Sequence, residues 1–172
     1  MDFIIRFAKE YDIEEMAEIH AFGKKEAYSG IIDESTLNKS IDDSDYRIEQ
    51  MLERYGKRNT IVAEKDGEVI GFAQWVFGNE SSSANYADSE LCSLYIRPDL
   101  KGYGVGTKLL CRVKELCAAA SHNRLALFCL KENLPSIHFY EKNGGKIIGE
   151  TMLNFGNKKY ASVIFLFDLA TH

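Results

Sequence analysis

The chain has 172 residues, which suits one compact domain able to bury a core without a disulfide or metal staple. Hydrophobic residues make up 45% and charged residues 27%, and no apolar run approaches the ~20 residues of a membrane helix. The net charge of −5 argues against a nucleic-acid partner, whose footprint is a basic face.

The start, Met1-Asp2-Phe3-Ile4-Ile5-Arg6, is too short and too acidic for a secretory signal. Residues 2–8 are rich in β-branched and aromatic types and read as a strand. Asp12, with Glu15 three positions on, reads as a capping box that opens a helix over 12–27. Ile13, Met16, Ala17 and Ile19 form its apolar face. The run Tyr28-Ser29-Gly30-Ile31-Ile32 breaks it, and a second helical region follows, clearest from Asp43 to Tyr55.

A hairpin comes next, with strands 60–65 and 68–77 joined by the two-residue turn Asp66-Gly67. Residues 78–85 are a polar loop, and 87–96 a strand stopped by Arg97-Pro98. A helix runs from about Val105 to Ser121, with Leu109, Leu110, Val113, Leu116 and Cys117 as its stripe. Residues 124–130 are a buried strand, and Pro135 lies in the first turn of a helix that ends at Gly144-Gly145. Strands 146–154 and 160–169 close the chain. Nothing divides residues 1–172, so the expectation is a single domain of mixed α/β (α+β) class.

Cys92, Cys111, Cys117 and Cys129 form no CxxC pair and have no histidine at ligand spacing. They read as buried, reduced thiols, which suits the cytoplasm and gives no metal site. Charge is unevenly spread. Residues 1–55 hold seven Lys/Arg against fourteen Asp/Glu, whereas 97–114 hold five against Asp99 alone.

The segment from Arg97 to Lys108 leaves a strand and enters a helix through Gly102, Gly104 and Gly106. Glycines at alternate positions let the backbone turn tightly and approach a ligand. The amides at the helix start have no helical partners, and the dipole adds positive charge, so the turn suits phosphate. Two rival motifs fail. A dinucleotide fingerprint needs glycine where Thr107 stands, and a P-loop needs Gly-Lys-Ser/Thr where the order is Gly106-Thr107-Lys108.

Lys101-x-x-Gly104-x-Gly106 resembles the Q/R-x-x-G-x-G/A cofactor motif of the GCN5-related N-acetyltransferase (GNAT) superfamily, with Lys where Gln or Arg is usual. The strand Glu90 to Pro98 resembles the family's central strand, and Asn133 to Gly145 its second conserved helix. The resemblance implies a GNAT fold: a mixed sheet of six to seven strands, about four helices, and a V-shaped splay between the central strands. It also implies acetyl-CoA as co-substrate, without metal. Leu94, Tyr95 and Ile96 would lie along the pantetheine arm, while Lys101, Gly102, Tyr103, Gly104, Val105, Gly106 and Thr107 would hold the pyrophosphate. Asn133 and Ser136 would also touch the cofactor, Asn133 by a hydrogen bond to the arm.

Acetyl transfer to an amine needs a base, an acid for the departing thiolate, and two reactants held together. Glu90, on the strand into the turn, is the candidate base, directly or through water. Tyr140 is the candidate acid, since a phenol with a pKa near ~10 keeps its proton at neutral pH. Tyr28 and Ser29, in the break after the first helix, are candidate acceptor contacts. By resemblance the acidic N-terminal helices cover the acceptor cleft, so the expected acceptor is a small cationic amine such as a polyamine. Acetylation of a protein or peptide amine, and a non-catalytic acyl-CoA-binding module, are the alternatives. A homodimer is compatible with all three.

Overall fold

The computed structural model describes residues 1–78 and 82–170, and for Lys39 and Ser40 the backbone only. The expected loop over 78–85 therefore lies partly outside the described residues. Seven strands form one sheet: β1 (Ile4–Phe7), β2 (Asn59–Lys65), β3 (Glu68–Phe77), β4 (Ser89–Ile96), β5 (Arg124–Leu130), β6 (Lys146–Phe155) and β7 (Lys158–Asp168). Their order is β1-β2-β3-β4-β5-β7-β6. The helices are α1 (Ile13–Tyr28), α2 (Glu34–Asp42), α3 (Ser44–Lys57), α4 (Val105–Ala119) and α5 (Leu134–Lys142).

The second helical region is thus two helices, which makes five where about four are expected. The break falls at Asp43, whose carboxylate accepts from the Tyr46 N–H at 2.9 Å and starts α3 afresh. The capping box at Asp12 does not form. Its two oxygens are taken by Arg6, at 2.8 and 2.9 Å, and by the Lys9 N–H. Glu15 turns to the sheet instead and accepts from the Val69 N–H at 2.8 Å.

Apolar residues bury both faces of the sheet. On one face Trp75, Leu91, Phe165 and Phe167 pack against Leu109, Leu110 and Val113 of α4. On the other, Val62 and Phe72 pack against Ile13, Met16 and Ala17 of α1 and Met51 of α3. A smaller cluster of Ile32, Leu37 and Leu130, with Phe155 and Tyr160 alongside, ties the α1–α2 connection to the β6–β7 hairpin.

The feature that positions the site is the seam between β4 and β5. Every neighbouring pair in the sheet is antiparallel except this one. Among the described residues its parallel pairing covers only Ser89↔Leu125 and Glu90↔Ala126. Beyond Glu90 the two strands part, and Leu91–Ile96 face Leu127–Leu130 across a wedge. This is the V-shaped splay. A bulge at Cys92, between the Ser93↔Gln74 and Leu91↔Trp75 pairs, bends β4 at the mouth of the wedge.

Candidate active site

A cleft of about 460 Å³ occupies the wedge. One wall is β4 from Leu91 to Ile96, and the other is β5 from Leu127 to Leu130. The α4 turn closes one end, α5 roofs it, and Gly23, Ala27 and Tyr28 of α1 look in from the far side.

The turn is built as glycine permits. Gly102 and Gly104 have φ of +83° and +82°, in the left-handed region. Gly104 is the N-cap of α4 and brings no side chain to satisfy the first-turn amides, which stay available to a ligand. Gly106 serves close approach: a Cβ there would stand 3.2 Å from Ile96 Cδ1 and 3.3 Å from Phe139 Cζ, so α4 could not sit as near β4 and α5. Lys101 reaches across to α1, where its Nζ lies 2.5 Å from Glu26 Oε2.

Asn133 is buried and caps α5, its Oδ1 accepting from the Ser136 N–H at 3.3 Å. Its Nδ2 has no partner among the described residues, which leaves a donor on the cleft wall. These features fit a long ligand that is anionic at one end and carries amide groups along its length. Helix-start amides suit a diphosphate, a strand edge without a neighbour suits an extended amide arm, and the wedge has depth enough for a narrow chain.

Tyr140 enters the cleft from α5, with its ring 5.5 Å from that of Phe165 and 5.2 Å from that of Phe139. Burial raises its pKa above the ordinary phenol value, so the hydroxyl keeps its proton throughout the physiological range. Tyr28 and Tyr95 face one another beside it, and burial raises both phenols, that of Tyr95 well above 10. Cys129 lies on the β5 wall, where burial pushes its thiol up to about 12 and leaves it unreactive.

Glu90 is placed differently. On β4 it pairs with Val76, and it is not among the residues that line the cleft. It is buried, accepting from Ser82 Oγ at 2.9 and 3.0 Å and from the Ser83 N–H at 2.9 Å.

His20 packs edge-on to the Tyr95 ring of β4, at 4.9 Å between centroids. Arg54 Nη1 stands 3.2 Å from His20 Nε2. The acids of α1–α3 are turned elsewhere. Glu26 pairs with Lys101, Asp33 with Lys158 and Glu53 with Lys57, while Asp42, Asp43 and Asp45 are exposed. The net acidity of this segment is therefore not the charge that faces inward.

Of the residues predicted from sequence, the structure gathers Tyr28, Leu94, Tyr95, Ile96, Lys101, Gly102, Gly104, Val105, Gly106, Thr107, Asn133, Ser136 and Tyr140 around one cleft. Tyr103, Ser29 and Glu90 stand outside its lining. Tyr103 is 61% exposed because the tight turn throws its side chain outward, and Ser29 caps the C-terminus of α1 at the surface. The β5 wall and the approach of Gly23 and Ala27 were not foreseen, because no local motif marks them. Cys111, expected to be buried, is exposed on α4. No helix among the described residues is long and apolar enough to cross a membrane.

Comparison with known proteins agrees with this geometry. A sequence model described as the acetyltransferase (GNAT) family matches residues 25–145. The chain is 27% identical over 146 residues to the uncharacterized N-acetyltransferase YuaI of Bacillus subtilis, covering 85% of this chain and 82% of that protein. It is 28% identical over 141 residues to the L-amino acid N-acyltransferase MnaT of Escherichia coli, covering 81% and 77%. Among solved structures, a GCN5-related N-acetyltransferase from Rhodopseudomonas palustris superposes with a TM-score of 0.77 at 18% identity, covering 98% and 96% of the two chains. The PaiA N-acetyltransferase from Thermoplasma acidophilum, in complex with coenzyme A, superposes with a TM-score of 0.75 at 20% identity, covering 98% and 99%.

Proposed function

The chain belongs to the acetyltransferase (GNAT) family, and from that premise we propose that it moves an acetyl group from acetyl-CoA to the primary amine of a small acceptor in a ternary complex. The enzyme works without metal, in the cytoplasm. The observation that carries this reading is the wedge beyond Glu90, where an unpaired strand edge leads from the amides that open α4 to the phenol of Tyr140. Two solved relatives in fold are named with acetyl-CoA or coenzyme A bound, and MnaT is named for a small-molecule acceptor.

The first-turn amides of α4, preceded by Gly102 and Gly104, would hold the pyrophosphate. The edge of β4 from Leu94 to Ile96 and the Nδ2 of Asn133 would hold the pantetheine arm. Acetyl-CoA supplies the thioester whose acetyl carbon the amine nitrogen takes, with the sulfur leaving.

Tyr140 holds a proton at its Oη and gives it to that sulfur, and its raised pKa keeps the proton in place until then. Glu90 receives the ammonium proton through water, because its carboxylate lies off the cleft wall and held by Ser82 and Ser83. Much of the rate enhancement comes from fixing amine and thioester together, since orientation alone contributes roughly 7–11 kcal/mol in well-aligned pairs.

Calorimetric titration with acetyl-CoA, followed by turnover over a panel of amines, tests the reading. Micromolar binding and acetylated product are expected. A protein that binds no acyl-CoA, or binds it without acetylating any amine, overturns it.

A further inference from the structure

Three basic side chains meet on the face of β4 opposite α4, and nothing in the transfer step above uses them. Lys24 lies one turn beyond His20 on α1, Arg54 comes from α3, and Arg58 follows the end of α3. Arg54 Nη1 lies 3.2 and 3.5 Å from the two ring nitrogens of His20. Arg58 Nη1 donates to Gln74 Oε1 at 3.5 Å, and Gln74 pairs with Ser93 of β4. All three cations are half-buried, so they are partly stripped of water and still reachable.

Among the described residues, none of the three forms an ion pair, whereas Arg6 and Lys57 do. Burial lowers the pKa of Lys24 and of Arg54, and each is lowered further by a neighbouring cation. His20 is pushed well below its usual value by burial and then by Arg54, Lys24 and Arg58 together, so it stays neutral and can accept from Arg54. Like charges held together in a half-dry site repel one another, and an anion seated among them relieves that repulsion.

Two residues connect this cluster to the cleft. Tyr95 lines the cleft and also packs against His20. Cys92 lines it too and lies in the field of Arg58. Tyr95 and Cys92 thus border the cleft on one side and the cluster on the other, although none of the three cations lines the cleft itself.

We propose that Lys24, Arg54 and Arg58 seat a carboxylate of the acceptor, so that the acceptor is an amino-acid-like zwitterion rather than a polyamine. The fork of an arginine matches a carboxylate in shape, and lysine adds a point charge. This inference rests on the transferase reading of the same cleft and deepens it by naming the acceptor class.

The test is steady-state turnover of the full chain on matched acceptors: the protein L-amino acids, their carboxamides, the corresponding decarboxylated amines, and spermidine. Acetyl-CoA affinity is measured alongside by calorimetry. Free amino acids are expected to exceed their carboxamides and amines by about 100-fold in kcat/KM, as a site built for a group rejects the analogue that lacks it. Arg54→Gln and Lys24→Gln are each expected to raise KM for the amino acid by about 10- to 100-fold, with a far smaller change in kcat. The loss should be much smaller on the carboxamide, and Arg54→Lys, which keeps the charge, should retain more than Arg54→Gln. Equal or better turnover of carboxamides or spermidine overturns the proposal, as does a loss in Arg54→Gln or Arg54→Lys that falls on acetyl-CoA affinity instead of acceptor KM. Acetyl-CoA binding with no preference for the carboxylate sinks this inference alone. Absence of acetyl-CoA binding sinks the transferase reading and this one with it.

Discussion

On the α4 side of β4 the binding surface is main chain: amides that open a helix, a strand edge without a neighbour, and glycines that keep side chains out of the way. On the α1–α3 side it is side chains, brought from two helices and two strands onto one patch. The first surface suits a ligand whose phosphates and amides are always the same. The second can change its preference by exchanging one residue, without disturbing the sheet beneath. A fold built this way keeps one co-substrate and varies the other.

Five substitutions and one pH profile would break or sharpen that contrast. Tyr140→Phe removes the proton donor and little volume. It should cut kcat by about 100- to 1000-fold in turnover assays, with acetyl-CoA affinity nearly unchanged by calorimetry. Full activity in this variant would remove Tyr140 from the chemistry. Gly106→Val pushes α4 away from Ile96 and Phe139. Overpacking of this kind costs about 1–3 kcal/mol, so acetyl-CoA affinity should fall roughly 10- to 100-fold while acceptor preference stays as it was.

Gly23→Ala probes the other side. Its Cβ would stand 2.5 Å from Tyr95 Cδ1, and the ring would have to move. The expected results are a loss of about 1–3 kcal/mol in denaturant unfolding and a rise in acceptor KM.

His20 gives the patch a pH signature. Its pKa in the fold lies well below the ordinary 6.5, because of burial and the cations around it. The unfolded chain takes up a proton that the folded chain refuses. Its contribution is therefore complete above pH 6.5 and is lost as pH falls below it, by at most about 1.4 kcal/mol per pH unit. Unfolding curves between pH 7.5 and 5 should show this slope, and His20→Gln should flatten it. Lys101→Ala should do least. Its ion pair with Glu26 is about half exposed, and such pairs contribute under about 1 kcal/mol, so acetyl-CoA affinity should shift by threefold or less.

Legibility in the sequence follows the same divide. The hairpin through Asp66-Gly67, the strand 124–130 and the turn at 102–106 were readable because each depends on neighbours within a few residues. Asp12 misled because its pattern with Glu15 is a good local cap, yet Arg6 of β1 offers two charged hydrogen bonds that outweigh it. The acidic count of residues 1–55 carries little information about the acceptor for the same reason. It sums residues that are mostly exposed or already paired, while Lys24, Arg54 and Arg58 are half-buried.

By itself the sequence determined the periodicity of the helices and strands and the glycine turn, since these are properties of spacing and backbone freedom, while Asn133 and Tyr140 stood out only through the family resemblance. Only the tertiary structure decided that β4 and β5 part after Glu90, that Glu90 lies outside the lining of the wedge they open, and that residues 34 positions apart, His20 and Arg54, touch. Strand parting, side-chain facing and long-range contact depend on how the sheet twists and which helix covers which face. No local run of residues encodes that.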